Sequence, residues 1–397
     1  MKDKTQTITF YAVCIFLFCY FMRIFNMPNE LTVIAGGLLC LALVIQQKKI
    51  RIDLGICLLA IIMVSYYVII NGARGLAFSI LYIPLIIYEL GNYTTCANRD
   101  KNYKEQKFLL LIFIMVIGYT IHGLLNSYMW YAGYAVPGTR RWQDFWSLGI
   151  TPGTQHAAYF MPAMAMFVPS VLYFKNRRIL NSMLIIMTIY FGYTALATRS
   201  RMSVLIFVIV FCMQVLMFAI CEKEKVKKQI KNKWLWAAIV AFMAIVIVGA
   251  FAVKDSAVVV AFIENMSKGG GIINNIRFQA QGMALQQLFD YPMGGYLMDF
   301  GGISHSHNTW LDMANAAGVI PFFAFVIYTA FTLYELVRLL LRNDITAEIK
   351  MVLIGLYGSF FLYFTVEPAL EASVHLVTPW IFLNGIVHGQ LMSKDKG

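Results

Sequence analysis

Long apolar runs, separated by short polar connections, follow one another along almost the whole chain. A helix needs about 20 consecutive apolar residues to cross the hydrocarbon core of a bilayer. The pattern therefore predicts an all-α polytopic protein of about twelve transmembrane helices. We place them at residues 7–25, 30–46, 53–71, 74–92, 107–126, 155–174, 178–198, 201–221, 233–252, 308–337, 347–366 and 373–391. No small-residue cleavage site follows the first run, so we expect no cleaved signal peptide.

The composition favours a membrane protein over a string of soluble domains. Hydrophobic residues make up 60% of the 397 residues and charged residues only 13%, whereas soluble domains carry roughly 25% charged residues. The seven cysteines form no CxxC pair, and none lies in a predicted outer loop. We therefore expect neither a disulfide framework nor a cysteine metal site.

The formal charge of +12 is distributed unevenly between the two sides of the predicted helices. The connections on one side, together with both termini, hold 23 of the 32 Lys and Arg residues. Because cytoplasmic loops carry an excess of basic residues, this side is predicted to be cytoplasmic, with both termini inside. Topology thus explains the net charge, and we expect no nucleic-acid binding.

Two connections on the predicted outer side are long. The first, at about 126–155, contains PGTRRWQDFW with Arg140 and Arg141, which fit a polar donor or acceptor surface. The second, at about 254–307, predicts a helix over 275–289 that is followed by YPMGGY. Long ordered loops in compact proteins are usually functional.

These loops divide the chain into three predicted regions. Residues 1–253 hold helices one to nine, residues 254–307 form a large and partly helical outer loop, and residues 308–397 hold helices ten to twelve. A re-entrant or interfacial segment within the large loop would change the helix count by one.

Nine basic residues lie on the predicted outer side, against the general distribution: Arg23, Arg74, Arg140, Arg141, Arg199, Arg201, Lys254, Lys268 and Arg277. Arg199 and Arg201 are the most informative, because TRSRMS is a very short connection that keeps both near the membrane surface. One arginine there can simply reach a lipid phosphate. The pair favours an anion site, since guanidinium binds phosphate through a planar and permanently charged fork.

A second polar cluster, GGISHSHNTWLD, lies where the large loop meets the tenth predicted span. Its histidines, His305 and His307, could bind a metal, but no further ligand cluster accompanies them, so we predict no metal site. Either histidine could instead be structural, at a helix N-terminus. The functional alternative is a general base, because imidazole titrates near neutral pH.

The clusters occur in a fixed order. ATRSRMSVLIF comes first, then the large loop with IRFQAQGMALQQLFDYPMGGY, and then HSHNTWLDMANAAGVIPFF. This order resembles the O-antigen ligase and O-antigen polymerase family of bacterial membrane glycosyltransferases. The family signature is an arginine that opens a span, a loop arginine ahead of a P-x-G-x-G-like turn, and an HN pair that opens the next span. It matches Arg201, Arg277 and His307 with Asn308, within roughly residues 190–325.

The resemblance implies a GT-C-like fold and an inverting, metal-independent glycosyltransferase that needs no cofactor. The implied donor is an undecaprenyl-pyrophosphate-linked oligosaccharide, and the acceptor is a hydroxyl of a glycan or a lipid-linked glycan. The reaction would take place at the outer face of the bacterial cytoplasmic membrane. Membrane lipids, a flippase and a chain-length regulator are the further partners that the family implies.

The resemblance also implies roles for particular residues. Arg201 and Arg277 would neutralise the leaving pyrophosphate, with Arg199 beside them, and His307 would be the base. His305 is the alternative base. The substrate-binding set is completed by Asn308, His305, Arg140 and Arg141.

Three further functions stand beside a glycan polymerase: a ligase, a transporter or flippase, and a channel. A polymerase adds the glycan to another lipid-linked repeat unit, whereas a ligase transfers it to a lipid core or another surface acceptor, and the shared motifs do not separate them. A transporter or flippase would concentrate ionisable groups at the midplane, where His122 and His388 are the candidates. A channel would need a repeated filter-like segment, which the sequence lacks.

Overall fold

The computed structural model describes residues 2–24, 29–74, 79–96, 101–135, 141–173, 178–198, 200–224, 260 and 276–393. The helices and strands before residue 225 are α1 (Lys2–Phe21), α2 (Asn29–Gln47), α3 (Leu54–Arg74), α4 (Ser79–Cys96), α5 (Lys101–Tyr131), β1 (Arg141–Gln143), β2 (Ile150–Pro152), α6 (Gly153–Ala158), α7 (Met161–Ala165), α8 (Phe167–Tyr173), α9 (Arg178–Ala197) and α10 (Arg201–Cys221). Those after residue 275 are α11 (Ile276–Gln286), α12 (Thr309–Ala317), α13 (Val319–Leu340), α14 (Ala347–Phe364), α15 (Ala369–Ala372) and α16 (Val374–Met392). The two strands pair antiparallel, with Trp142 opposite Thr151.

Several helices have the length and apolar character that a membrane span requires. Within the described part of the chain there are five such helices: Glu30–Gln47, Glu105–Tyr131, Met202–Cys221, Val319–Leu340 and Ala347–Phe364. The chain is thus an α-helical protein with the features of a polytopic membrane protein. The ninth predicted span, 233–252, lies outside the described residues, and the count of twelve stays a prediction.

Most predicted spans coincide with helices. The bounds of α1 to α5, α9, α10, α14 and α16 agree with the predicted spans to within six residues at each end. Hydrophobic run length therefore located these elements correctly.

Two predicted spans differ from the structure. The segment predicted at 155–174 is divided into α6, α7 and α8; Pro162 and Pro169 lie within it, and each lacks the amide donor that a continuous helix uses. The prediction of one helix at 308–337 is wrong, because Gly318 (φ 87°) separates α12 from α13. The site residues lie beside this second break.

Glycines allow α4 and α16 to pack with their backbones in contact. A Cβ atom at Gly385 would collide with the carbonyl oxygen of Tyr88, and one at Gly389 would collide with the carbonyl oxygen of Asn92. Small residues four positions apart are a common device for close helix contact in membranes. This interface holds α16 directly against α4.

The antiparallel packing of α10 and α14 places two segments with candidate site residues at the same end of the bundle. Val210 and Met213 lie against Gly358, and the Gln214 side chain donates to the Met351 carbonyl oxygen over 3.0 Å. Arg201 precedes Val210 by nine residues, and Glu367 follows Gly358 by nine residues. The start of α10 therefore lies at the same end of the bundle as the connection that follows α14.

The YPMGGY turn of the large loop docks on the break between α12 and α13. The Val319 amide donates to the Pro292 carbonyl oxygen over 2.9 Å, and the Gly295 amide donates to the Ala316 carbonyl oxygen over 3.0 Å. A Cβ atom at Gly318 would collide with the Pro292 carbonyl oxygen. These contacts anchor the loop beside the start of α12.

Candidate active site

His307 lies in a tight turn that leads into α12. Its backbone has a φ of 56°, in the left-handed region that residues other than glycine rarely adopt. Residues held in such conformations cluster at functional sites. The next residue, Asn308, caps α12, because its side-chain oxygen accepts hydrogen bonds from the amides of Trp310 and Leu311.

Asp312 holds this turn from inside α12. Its carboxylate accepts from the Ser306 amide over 2.7 Å and from the Asn308 amide over 3.1 Å, so both neighbours of His307 are fixed. Burial raises the pKa of Asp312 to about 6, although these hydrogen bonds and the nearby His307 oppose the shift. Helix α12 has nine residues and is too short to span a membrane.

Arg277 and His307 meet at one carboxylate, that of Glu367. The Arg277 guanidinium lies 2.7 Å from Oε1 of Glu367 and also donates to the Val366 carbonyl oxygen over 3.0 Å. Nδ1 of His307 lies 3.8 Å from Oε2 of the same glutamate. The Glu367 side chain is only 8% exposed, while those of Arg277 and His307 are about one-quarter exposed at 27% and 24%. The three groups form a shared, partly accessible cluster.

Further hydrogen bonds connect the segments that supply this cluster. The Gln281 side chain, one turn after Arg277, donates to the carbonyl oxygens of His307 (3.3 Å) and Thr365 (3.0 Å). The Thr309 hydroxyl donates to the Glu367 carbonyl oxygen over 2.8 Å. The relative positions of α11, α12 and the connection after α14 are therefore fixed by direct contacts.

Glu367 was not among the residues predicted from the sequence. The prediction considered basic residues and histidines on the outer side, and it left out acidic residues there. Glu367 lies in the short connection between the eleventh and twelfth predicted spans, which is on the predicted outer side. A search for acidic residues in outer connections would have found it.

The other predicted site residues are described to different extents. Arg201 is the first residue of α10, at the end of the bundle that carries Glu367. Nδ1 of His305 lies 4.0 Å from Oδ1 of Asp312. Arg141 is an exposed residue on β1. Arg199 and Arg140 lie outside the described residues.

A second buried polar cluster lies under the first long loop, around Asp144. Its carboxylate lies 3.0 Å from Nε2 of His122 and 3.6 Å from the Arg23 guanidinium, and it accepts from the Asn126 side chain and the Ser147 amide. Burial alone would raise the pKa of Asp144, but the hydrogen bonds from His122 and Ser147 and the charge of Arg23 outweigh it and hold that pKa well below its usual range. These contacts hold the first long loop against α5 and the end of α1.

A comparison with known proteins finds no matching family model and no matching curated sequence. The geometry of the site is therefore the basis for a functional assignment. Within the described ranges, no group of three or more His, Cys, Asp or Glu side chains could hold a metal ion. The cluster combines a permanent cation, a carboxylate and an imidazole. Together these groups can bind an anion and accept a proton.

Proposed function

We propose that this protein is a membrane glycosyltransferase that uses a polyprenyl-pyrophosphate-linked glycan as donor and a glycan hydroxyl as acceptor. The form we favour is a polysaccharide polymerase, with an O-antigen type ligase as the alternative. The reaction site is the cluster of Arg277, His307 and Glu367, which we assign to the outer face of the cytoplasmic membrane.

The observation that carries the proposal is that Arg277 and His307 converge on Glu367. They come from separate elements, α11 and the turn before α12, and the resemblance to O-antigen ligases and polymerases matched both residues independently of any structure. A cation can stabilise the leaving pyrophosphate and an imidazole can accept the hydroxyl proton, so the two groups together suit glycosyl transfer from a pyrophosphate.

The proposed reaction is a single displacement at the anomeric carbon of the donor sugar. The acceptor oxygen forms a bond to this carbon while the bond from the carbon to the pyrophosphate oxygen breaks, so the configuration is inverted. The acceptor proton passes to His307, and the polyprenyl pyrophosphate leaves with the electron pair. Arg277 and Arg201 stabilise the negative charge that develops on the leaving group.

The position of Arg201 supports its part in this proposal. The contact between α10 and α14 brings the first residue of α10 to the level of Glu367. A polyprenyl donor keeps its chain in the bilayer, so its pyrophosphate lies at the membrane surface. Basic residues at helix ends are suited to bind a phosphate at this depth.

The roles of the two histidines can be tested in purified protein reconstituted with a lipid-linked oligosaccharide. His307→Ala should lower the rate of glycan elongation by a factor of about 100 or more, because a positioned general base contributes roughly 10²–10⁴-fold. His305→Ala tests the alternative base, and the proposed assignment predicts a much smaller loss of activity. Unchanged elongation by a well-folded His307→Ala variant would disprove the assignment of the base.

A further inference from the structure

Glu367 lies between the two groups to which the proposed function gives different tasks. One carboxylate oxygen is paired with Arg277 at 2.7 Å, and the other lies 3.8 Å from Nδ1 of His307. The first distance is that of a charge-assisted hydrogen bond. The second is too long for a hydrogen bond. In this arrangement the carboxylate is committed to the arginine.

In this arrangement one ring nitrogen of His307 is left without a hydrogen bond. Its Nδ1 atom is buried and has no hydrogen-bond partner. Buried polar groups are normally paired, and one without a partner at a functional site calls for an explanation. Among the contacts described for His307, the Glu367 carboxylate is the acidic partner nearest to Nδ1. A shift of about 1 Å would bring the two into hydrogen-bonding range.

We propose that Glu367 couples donor binding to the activation of His307. This inference rests on the proposed function, in which Arg277 binds the donor pyrophosphate. The pyrophosphate competes with Glu367 for the arginine, and the released carboxylate then accepts a hydrogen bond from Nδ1–H of His307. Glu367 is thus a positioning residue that acts on the acceptor through His307.

The hydrogen bond has two consequences for the base. A proton held on Nδ1 leaves the lone pair on Nε2, which is the nitrogen that takes the acceptor proton. The carboxylate also stabilises the imidazolium that forms, as the aspartate does in serine hydrolases. When the polyprenyl pyrophosphate departs, Arg277 returns to Glu367, and the base is inactive until the next donor binds. An empty site therefore does not deprotonate water or a stray hydroxyl.

Charge competition gives this mechanism a distinct signature. Glu367 opposes pyrophosphate at Arg277 and promotes turnover at His307. Removing its charge should therefore strengthen pyrophosphate binding and slow the reaction. A residue that only maintains the fold would weaken both properties together.

Glu367→Gln tests the coupling, since glutamine keeps the side-chain shape and the backbone contact to Thr309. Elongation by purified protein in liposomes gives kcat, and inhibition by inorganic pyrophosphate gives its affinity. We expect kcat to fall by about 100-fold and pyrophosphate affinity to rise by at least about fivefold. Glu367→Asp restores the charge and should return pyrophosphate affinity to the wild-type value with a partial recovery of kcat.

Two controls make the result interpretable. Asp290→Asn removes an exposed carboxylate from the large loop that carries Arg277 and should change neither quantity. The thermal unfolding midpoint reports whether each variant is folded. Parallel losses of kcat and pyrophosphate affinity in folded Glu367→Gln would overturn the coupling while leaving the proposed function in place. A wild-type protein that transfers no glycan would overturn the proposed function and the coupling with it.

Discussion

At the scale of single residues, two buried carboxylates respond to their surroundings in opposite ways. Burial dominates at Asp312 and raises its pKa to about 6. Cationic and hydrogen-bonding partners dominate at Asp144 and lower its pKa. Both residues lie outside the described helices that are long enough to span a membrane. Their effects on stability should therefore have opposite dependences on pH.

For Asp312, comparison of the wild type with Asp312→Asn should show a contribution to stability that is lost as the pH rises. A carboxyl with a raised folded-state pKa binds its proton more tightly in the folded protein, so its contribution to stability is full below pH ~4 and is lost as the pH rises through about 6. The shift corresponds to about 3 kcal/mol. The wild-type unfolding midpoint in detergent, relative to that of the variant, should therefore fall between pH 4 and 7. Parallel curves for the two proteins would contradict this.

Asp144→Asn should show the reverse. A lowered folded-state pKa contributes stability that is complete above pH ~4 and is lost only as the pH falls further. Breaking this buried charge cluster should cost about 3 kcal/mol at neutral pH. The same unfolding experiment should show the largest gap between wild type and variant at neutral pH. A gap that widens on acidification would show that the charge of Asp144 is not what stabilises the loop.

At the scale of elements, the break between α12 and α13 positions the proposed base. The backbone at Gly318 has a positive φ, and its α-carbon lies against the Pro292 carbonyl oxygen, so both the YPMGGY turn and the start of α12 depend on it. Hydrophobicity alone predicted one helix here, because the apolar run continues through the glycine. The break is set by the docked loop, which is remote in sequence.

Gly318→Ala should disrupt this junction. An alanine at this φ is strained by about 1–3 kcal/mol, and its methyl group would also push the Pro292 turn away. We expect a lower unfolding midpoint and a loss of glycan elongation of at least about tenfold, since small displacements of a reacting group are costly. Gly282→Ala on α11, where an added Cβ meets nothing within 4 Å, is the matched control. Equal behaviour of the two variants would show that the junction does not position His307.

The sequence predicted the long apolar helices well, because one bilayer thickness sets their length. It also proposed His307, Asn308 and Arg277 as site residues, and the structure brings His307 and Arg277 to one carboxylate. It did not predict Glu367 as the shared partner of His307 and Arg277, since these residues lie 60 and 90 positions before it in the chain. Nor did it predict that Asp312 would hold the turn around His307. Hydrophobic pattern specifies which segments enter the membrane, whereas polar contacts between distant segments require the folded chain.

At the scale of the whole molecule, a third charged cluster lies at the opposite ends of the helices. His388 bridges two carboxylates, with Nδ1 at 2.6 Å from Glu335 and Nε2 at 3.2 Å from Asp53. These residues connect α13, α16 and the start of α3. His122, the other candidate for a transport site, contacts the Asp144 carboxylate through Nε2 at 3.0 Å. Both histidines thus have structural partners.

His388→Leu should therefore affect stability rather than chemistry. Removing one partner of a buried ion pair costs about 3–5 kcal/mol, because the remaining charge is uncompensated. We expect a lower unfolding midpoint together with an unchanged kcat per folded molecule. Retained stability with abolished function would instead favour a transport role for this cluster.

The most direct test of the proposed glycosyltransferase is product analysis with purified wild-type protein in liposomes. The protein is supplied with an isotope-labelled polyprenyl-pyrophosphate oligosaccharide in the presence of a metal chelator. We predict a ladder of longer glycans, an equal molar release of polyprenyl pyrophosphate, and inverted configuration at the new linkage. Labelled donor that crosses the bilayer or remains unchanged, with no new glycosidic bond, would contradict the account.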